Sequence, residues 1–348
     1  MMRLAVIGVG DVAYRDYLPQ FGRIAYLGTV SLVIARNLER TKAAARFFRV
    51  PHVDVDWRRA LDSDVDAVIN LTPAPVHGEI NLALANVGRH FYSEKPFARD
   101  VAEGKAIIAA AARTGCVIAA APSVMVYPQV LRAADVLRSG ELGPIRSARA
   151  TATTSPPPWA GYVGDHAPFF SADVGPLSDM GVYPLHVLTG LLGNVVTVSA
   201  ISSRTRSSFA VNEGPFAGTT VPVEVDDNWQ IALALDSGIL ASLQVAYCIS
   251  QPGSCHLEIA GEAGSMVVPI LDPSAPLRIT IGGTTRDEPV AHRRNDGPDH
   301  LLGVQDFLEA IRDGREPVIN SAHALHVVAV RQAIEISARS GNRIPVNH

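Results

Sequence analysis

Lys95 stands in Ser93-Glu94-Lys95-Pro96, directly after the short run His90-Phe91-Tyr92. A lysine at the carboxyl end of a late strand in a dinucleotide-type fold points into the crevice where cofactor and substrate meet. That placement makes the charge a candidate catalytic group. A second group of polar side chains is Asp179, Tyr183 and His186, spaced four and three residues apart. On a helix of about 100° per residue they fall within a wedge of roughly 60°. Leu177, Met180, Pro184, Val187, Leu188 and Leu191 take another side, so the pattern predicts an amphipathic helix carrying an acid, a phenol and an imidazole. The competing reading is an ordinary solvated face.

The third feature is Gly8-x-Gly10-x-x-Ala13, with Asp11 and Val12 between. It follows a strand-like run and precedes a helix-like one. The first glycine allows a tight turn and the second lets the backbone approach a pyrophosphate. The small third residue lets helix and strand pack closely. The helix N-terminus then offers unpaired N–H groups to phosphates. About 20 residues later, dinucleotide sites that prefer NAD usually place an acid at the end of strand two. Here the strand ends Ile34-Ala35-Arg36-Asn37. The acid is missing and a guanidinium stands next, able to pair with a 2′-phosphate. This favours NADP over NAD; the alternative is a solvated loop charge.

These residues need elements to hold them. Leu4–Ile7 reads as a strand buried on both faces, followed by a helix over about Val12–Phe21. Val30–Ile34 reads as a strand and Glu39–Phe48 as a helix. Ala67–Leu71 is a strand ended by Thr72-Pro73, and His77–Asn86 a helix with Gly88 beyond it. After the strand leading to Lys95 come a helix over about Val101–Arg113, a stop at Gly115, and a strand over Cys116–Ala121. Strands alternating with helices of this length predict a parallel sheet. Beyond Pro122 the pattern changes. Asn228–Leu235 and Ile239–Tyr247 form a hairpin across Asp236-Ser237-Gly238. His256–Ile259 and Met266–Val268 form another across Gly261–Gly264. Hairpins imply an antiparallel sheet in a second, α+β domain. The expected division is 1–122 and 123–348, with the C-terminal helix able to pack back on the first domain. Helices are expected over Asp306–Ile311 and Ala322–Ser340. The stretch from Ser155-Pro156-Pro157-Pro158-Trp159 to Asp173 is too rich in proline and glycine for regular structure. It reads as a lid or binding loop, or as a solvated insertion.

Composition narrows the function. The chain of 348 residues has a formal charge of −4 and no Lys/Arg block, which argues against nucleic acid as a partner. Cys116, Cys248 and Cys255 have no metal-type spacing, so neither a zinc site nor a disulfide framework is expected. Cys116 reads as a small buried hydrophobe. No apolar run reaches the length of a membrane helix. Met1–Ile7 imitates the start of a signal peptide but reads as strand one of a cytoplasmic protein.

In order and spacing, Gly8-x-Gly10-x-x-Ala13, Thr72-Pro73-x-x-x-His77, Glu94-Lys95-Pro96 and Asp179-x-Gly181-x-Tyr183 resemble the glucose–fructose oxidoreductase and inositol dehydrogenase family (Gfo/Idh/MocA). Asp306-Phe307-x-x-Ala310-Ile311 and the segment from Gly314 to Gly341 also look like this family. The resemblance covers nearly the whole chain. It implies an N-terminal Rossmann dinucleotide-binding domain and a C-terminal domain with a large, open, mostly antiparallel sheet. It implies hydride transfer between a nicotinamide cofactor and a carbinol carbon of a sugar, cyclitol or related diol. Lys95 would bond the reacting oxygen, and Asp179 would orient the lysine or the substrate. Thr72, Pro73, His77 and Glu94 would join Gly8, Gly10, Asp11, Val12, Ala13 and Arg36 around the cofactor. A cis bond before Pro96 and pairing of copies through the sheet, as a dimer or tetramer, are also implied.

Two positions depart from the pattern. Many members carry histidine where this chain has Tyr183, and the usual glycine cluster is thinned to Asp173-Val174-Gly175-Pro176. Oxidation needs a base for the hydroxyl proton. A phenol titrates near 10 and needs a cation such as Lys95 to act near neutrality, whereas His186 titrates there unaided. Tyr183 with Lys95 is favoured over His186, which then contacts substrate. His77 either lines the cofactor crevice or makes a structural bond at its helix start. Two other functions fit the same residues less well: a glycoside hydrolase using bound NAD for transient oxidation, and a redox-silent NADP-binding regulator.

Overall fold

The computed structural model describes residues 1–157, 162, 164–171, 174–212, 214–249, 253–291 and 297–347. The chain forms two compact units, Met1–Val126 with Asp299–Val328, and Tyr127–Pro298 with Ala329–His348.

The first unit runs β1 (Met2–Ile7), β2 (Gly28–Ile34), α1 (Leu38–Phe48), β3 (His52–Asp54), α2 (Arg59–Asp62), β4 (Ala67–Asn70), α3 (His77–Asn86), β5 (His90–Ser93), α4 (Val101–Thr114) and β6 (Ile118–Ala120). The six strands form one sheet in the order β3-β2-β1-β4-β5-β6, and every pairing is parallel. Leu4, Ala5, Val6 and Ile7 are all buried, as a strand covered on both faces requires. Leu4 and Val6 join a cluster with Tyr17, Phe21, Ala44 and Phe307; Ala5 and Ile7 join one with Ile80, Leu84 and Ile107. Helix starts follow from side-chain caps. Asn37 accepts from Arg40 N at 3.0 Å and Asp100 from Glu103 N at 2.8 Å. Gly115 closes α4 in the left-handed conformation.

Two expected elements differ. The single helix over Val12–Phe21 is instead a π-helical turn at Ala13–Tyr17 followed by a 3₁₀ stretch at Leu18–Ile24. Pro19 has no N–H to donate, which removes the α-helical bond there. The strand over Cys116–Ala121 shrinks to Ile118–Ala120, because Val117 N donates at 2.8 Å to His90 Nδ1. Cys116, expected as a small buried hydrophobe, is partly buried at that turn and packs against the cluster that holds Ile107 and Ile118.

The second unit contains α5 (Pro128–Ser139), β7 (Ile145–Thr153), α6 (Val182–Leu192), β8 (Val195–Ser203), β9 (Ser208–Ala210), β10 (Thr220–Pro222), β11 (Asn228–Leu235), β12 (Leu240–Ala246), β13 (Ser254–Gly261), β14 (Gly264–Pro269), β15 (Leu277–Ile281), β16 (Thr284–Glu288) and the C-terminal β17 (Ile344–Pro345). Helix α7 (Leu301–Asp313) belongs to the first unit, and α8 (Ser321–Ser340) crosses the division between the two. Nine strands make a mixed sheet in the order β16-β15-β14-β13-β7-β12-β11-β8-β17, antiparallel except for β12 with β7. Both expected hairpins are present, β11–β12 and β13–β14. Trp229, Ile231, Leu233 and Leu235 face inward, while Gln230 and Ala232 are exposed.

Within the expected loop, Ala167–Phe170 forms a 3₁₀ turn. Phe170 anchors it, buried with Val211, Val221 and Val223 and stacked 5.0 Å from Phe209. Pro158, Trp159 and Asp173 lie outside the described residues. No helix among the described residues is long and apolar enough to cross a membrane.

Candidate functional site

The carboxyl ends of β2, β1, β4 and β5 are neighbours at one edge of the parallel sheet. They carry, in spatial order, Arg36, the Gly8–Gly10 turn, Thr72-Pro73 and Glu94-Lys95. Three strand spacings of about 4.8 Å separate the first from the last, roughly 14 Å. This edge includes the reversal of strand order between β1 and β4, where open α/β sheets bind ligands.

The two glycines are required for different reasons. Gly8 has φ +101°, and a Cβ there would lie 2.5 Å from the Leu71 carbonyl oxygen. The fold itself therefore demands glycine. At Gly10 a Cβ would meet nothing within 4 Å. No protein atom needs that space, so the open approach suits a ligand's phosphate, and the loop fits a dinucleotide. Ala13 is buried against the sheet and Val12 packs beside it. Asp11 accepts from Arg15 at 3.0 Å. Arg36 is exposed, and among the described residues its side chain makes no hydrogen bond or ion pair.

Lys95 is held by its neighbours' backbone. Asn70, Asn81 and Ser93 are all fully buried. Asn70 Nδ2 donates to Asn81 Oδ1 at 3.0 Å, and Asn81 Nδ2 donates to Ser93 Oγ at 2.9 Å and the Phe97 carbonyl at 3.0 Å. Asn70 Oδ1 accepts from Thr72 Oγ1 at 2.7 Å. One amide network thus ties the end of β4, the body of α3 and both sides of Glu94-Lys95-Pro96. His77 reinforces it. Its Nε2 lies 2.6 Å from the Thr72 carbonyl and its Nδ1 3.0 Å from the Pro96 carbonyl. The ring is 1% exposed, and burial pulls its pKa below the usual histidine range, with Lys95 also lowering it and Glu94 opposing. The Lys95–Pro96 bond is cis.

Both Glu94 oxygens are engaged: Oε1 accepts from Tyr17 hydroxyl at 2.5 Å and Oε2 from Lys95 N at 3.0 Å. Tyr17 hydroxyl also lies 3.0 Å from that of Tyr92, which reaches Ser123 Oγ at 3.2 Å. Burial first, then the Glu94 charge, raises the pKa of Tyr17 and of Tyr92, so both phenols stay protonated donors. His300 stacks on Tyr17 at 5.9 Å with its Nε2 3.9 Å from Asp16. Its Nδ1 is buried without a hydrogen-bond partner among the described residues.

In the second unit, Leu177–Gly181 winds as a π-helix before α6 begins. The expected uniform helix from Asp179 to His186 is therefore broken, and a constant 100° step does not relate Asp179 to the others. Nor is the polar side a solvated face. Tyr183 is 9% and His186 5% exposed, because α6 is buried on nearly all sides. Gly181 explains the close packing: a Cβ there would lie 3.1 Å from a methyl of Val245 on β12. That approach brings the residue after β12 to the acid. Tyr247 hydroxyl donates to Asp179 Oδ2 at 2.6 Å. Burial, then the Asp179 and Tyr183 fields, raise the Tyr247 pKa well above the usual phenol range. The second unit therefore gathers a carboxylate and two phenols.

Sequence reading singled out Lys95, Glu94, His77 and Asp179 but passed over Asn81, Tyr17, Tyr92, His300 and Tyr247. Asn81 alone carried a signal, as an amide on the otherwise apolar side of α3. The remaining four depend on pairings across long stretches of chain.

Two family models match. One, of the oxidoreductase family with an NAD-binding Rossmann fold, covers residues 2–121. The other, of the GFO/IDH/MocA C-terminal domain, covers residues 130–267. The chain is 25% identical to levoglucosan dehydrogenase of Pseudarthrobacter phenanthrenivorans, over 94% of this chain and 93% of that protein. It is 33% identical to dTDP-3,4-didehydro-2,6-dideoxy-alpha-D-glucose 3-reductase of Actinomadura kijaniata, over 55% of this chain and 56% of that one. Among solved structures, a levoglucosan dehydrogenase complex with NADH and levoglucosan superposes with a TM-score of 0.85 at 23% identity, over all of both chains. Matched in its parallel-sheet unit and in its mixed-sheet unit, and carrying Glu94-Lys95-Pro96 at the carboxyl end of β5, the chain belongs to the Gfo/Idh/MocA family of oxidoreductases.

Proposed function

We propose that the protein moves a hydride between a nicotinamide dinucleotide and a secondary alcohol or ketone of a sugar, cyclitol or related diol. The observation that carries this reading is the sheet edge where the open space at Gly10, after β1, and the rigidly framed Lys95, after β5, stand two strands apart with the end of β4 between them. The family assignment and the sugar-acting relatives support it.

Gly8, Gly10, Asp11, Val12, Ala13, Thr72, Pro73 and Glu94 would hold the dinucleotide, with Arg36 at its adenosine end. When bound, the nicotinamide supplies the hydride acceptor or donor. Lys95 bonds the substrate's reacting oxygen with its ammonium and stabilises the charge that develops there. Asp179 orients the polar groups around the reacting carbon. Tyr183 carries the proton of the hydroxyl, in preference to His186. His77, with both ring nitrogens on backbone carbonyls, frames the loop rather than exchanging protons.

NADP is the preferred form, because Arg36 is exposed and no partner among the described residues occupies its charge. The enzyme works in the cytoplasm, a reading its unpaired cysteines support. Copies pair through the outer face of the nine-stranded sheet, where Ile201 is 71% and Leu240 64% exposed; a strict monomer in light scattering would refute that pairing.

The test is a panel of sugars and polyols with both cofactors, read as nicotinamide absorbance. Reduction of added NADP by at least one polyol, or oxidation of NADPH by the matching ketone, is expected. Cofactor binding without turnover of any of them would contradict the reading and favour a regulator. Release of a glycosidic product without net cofactor reduction would favour the hydrolase.

A further inference from the structure

We propose that Tyr247 is a positioning residue for Asp179: its hydroxyl fixes one carboxylate oxygen and offsets part of its charge, leaving Tyr183 as the phenol that exchanges a proton. The inference rests on the proposed function and extends it to a residue that no motif marks.

Three contacts hold Tyr247. Its N donates at 2.8 Å to the Asp227 carbonyl. Asp227 is itself buried and fixed, accepting from Thr205 N and Oγ1, each at 2.7 Å. The Tyr247 ring meets Phe170 edge-on at 6.4 Å and 71°. The hydroxyl donates to Asp179 Oδ2 at 2.6 Å, the length of a charge-assisted bond. The ring is 1% exposed, so water has no route to replace that donor.

Chemistry divides the two phenols around this carboxylate. Burial and the neighbouring negative fields keep Tyr247 protonated. A phenol locked in that state can donate but cannot act as a base. Two interacting acids beside one anion do not ionise together, so proton exchange falls to Tyr183. The bland alternative is that a buried tyrosine hydroxyl simply needs some acceptor. In that case its loss lowers stability and leaves catalysis unchanged.

Tyr247→Phe keeps the ring and removes only the donor. Its kcat is expected to fall roughly ten- to hundredfold, the range set by losing one hydrogen bond to a charged group, with little change in KM. The substrate is the panel sugar with the highest kcat/KM. The uncompensated carboxylate then raises the midpoint of the pH–rate profile, on the order of one unit. A spectrophotometric titration of phenolate without substrate, with Tyr183→Phe as control, should show the same upward shift. Acting through Asp179, the change should add nothing on an Asp179→Asn background.

Wild-type kcat with an unshifted midpoint overturns the inference. So do additive losses in the double variant, or a Tyr247→Phe protein changed only in melting temperature or folding. If Lys95→Ala keeps turnover, the active-site reading itself fails. If Lys95→Ala is inactive and Tyr247→Phe behaves as wild type, only the role of Tyr247 fails.

Discussion

Gly8→Ala and Gly10→Ala separate the two duties of a glycine turn. At Gly8 the positive φ and the Leu71 carbonyl both oppose a side chain. Its substitution is expected to cost stability on the order of 1–3 kcal/mol. At Gly10 the fold leaves room, so Gly10→Ala should melt like wild type while cofactor affinity drops at least about tenfold, since only the ligand is crowded. Melting temperatures and cofactor dissociation constants check both; equal destabilisation would remove the distinction. Single residues whose role is local were legible in the sequence. The glycine turn and Lys95 announce themselves through neighbours one or two positions away. Tyr17 and Tyr247 did not, because their partners Glu94 and Asp179 lie 77 and 68 residues distant.

At the scale of elements, α3 and the ends of β4 and β5 behave as one frame for Lys95. Asn81 is its hub. Asn81→Ala would leave the buried Asn70 amide, the Ser93 hydroxyl and the Phe97 carbonyl short of partners. A loss of roughly 2–3 kcal/mol in urea unfolding is expected, with turnover falling further because Lys95 loses its fixed approach. A loss under about 0.5 kcal/mol would mean water or neighbours replace the amide. Alternation of apolar runs with helical periods placed β1, β2, β4, β5, α3 and α4 within a residue or two. It did not show the π-helical turns at Ala13–Tyr17 and Leu177–Gly181, because a spacing rule assumes a constant angle per residue. Strand β7 was also missed: Arg146 and Arg149 interrupt its apolar pattern, and its partners β12 and β13 follow about a hundred residues later.

Across the whole molecule, histidines buried in the neutral form make stability depend on pH. Burial lowers the pKa of His300, and lowers that of His323 to about 4. Each folded value lies below the unfolded one of about 6.5. Their stabilising contribution is therefore complete above about pH 6.5 and is lost as pH falls toward the folded value, by up to about 1.4 kcal/mol per pH unit for each group. Melting temperature should fall between pH 7 and 5, and a flat or rising profile would contradict this. The parallel sheet and the hairpins of the mixed sheet were readable because each uses short-range patterns. The return of Asp299–Val328 to the first unit was not specified by any local pattern; it rests on Leu301, Val304 and Phe307 filling a face left open by distant strands. The central claim concerns Lys95, whose ammonium is assigned to the reacting oxygen and not to the fold. The most direct measurement is the turnover of Lys95→Ala beside its melting temperature and NADP affinity. Turnover lowered at least about a hundredfold, with stability and cofactor binding retained, is the expected result; near wild-type turnover, or a loss explained by unfolding, would contradict it.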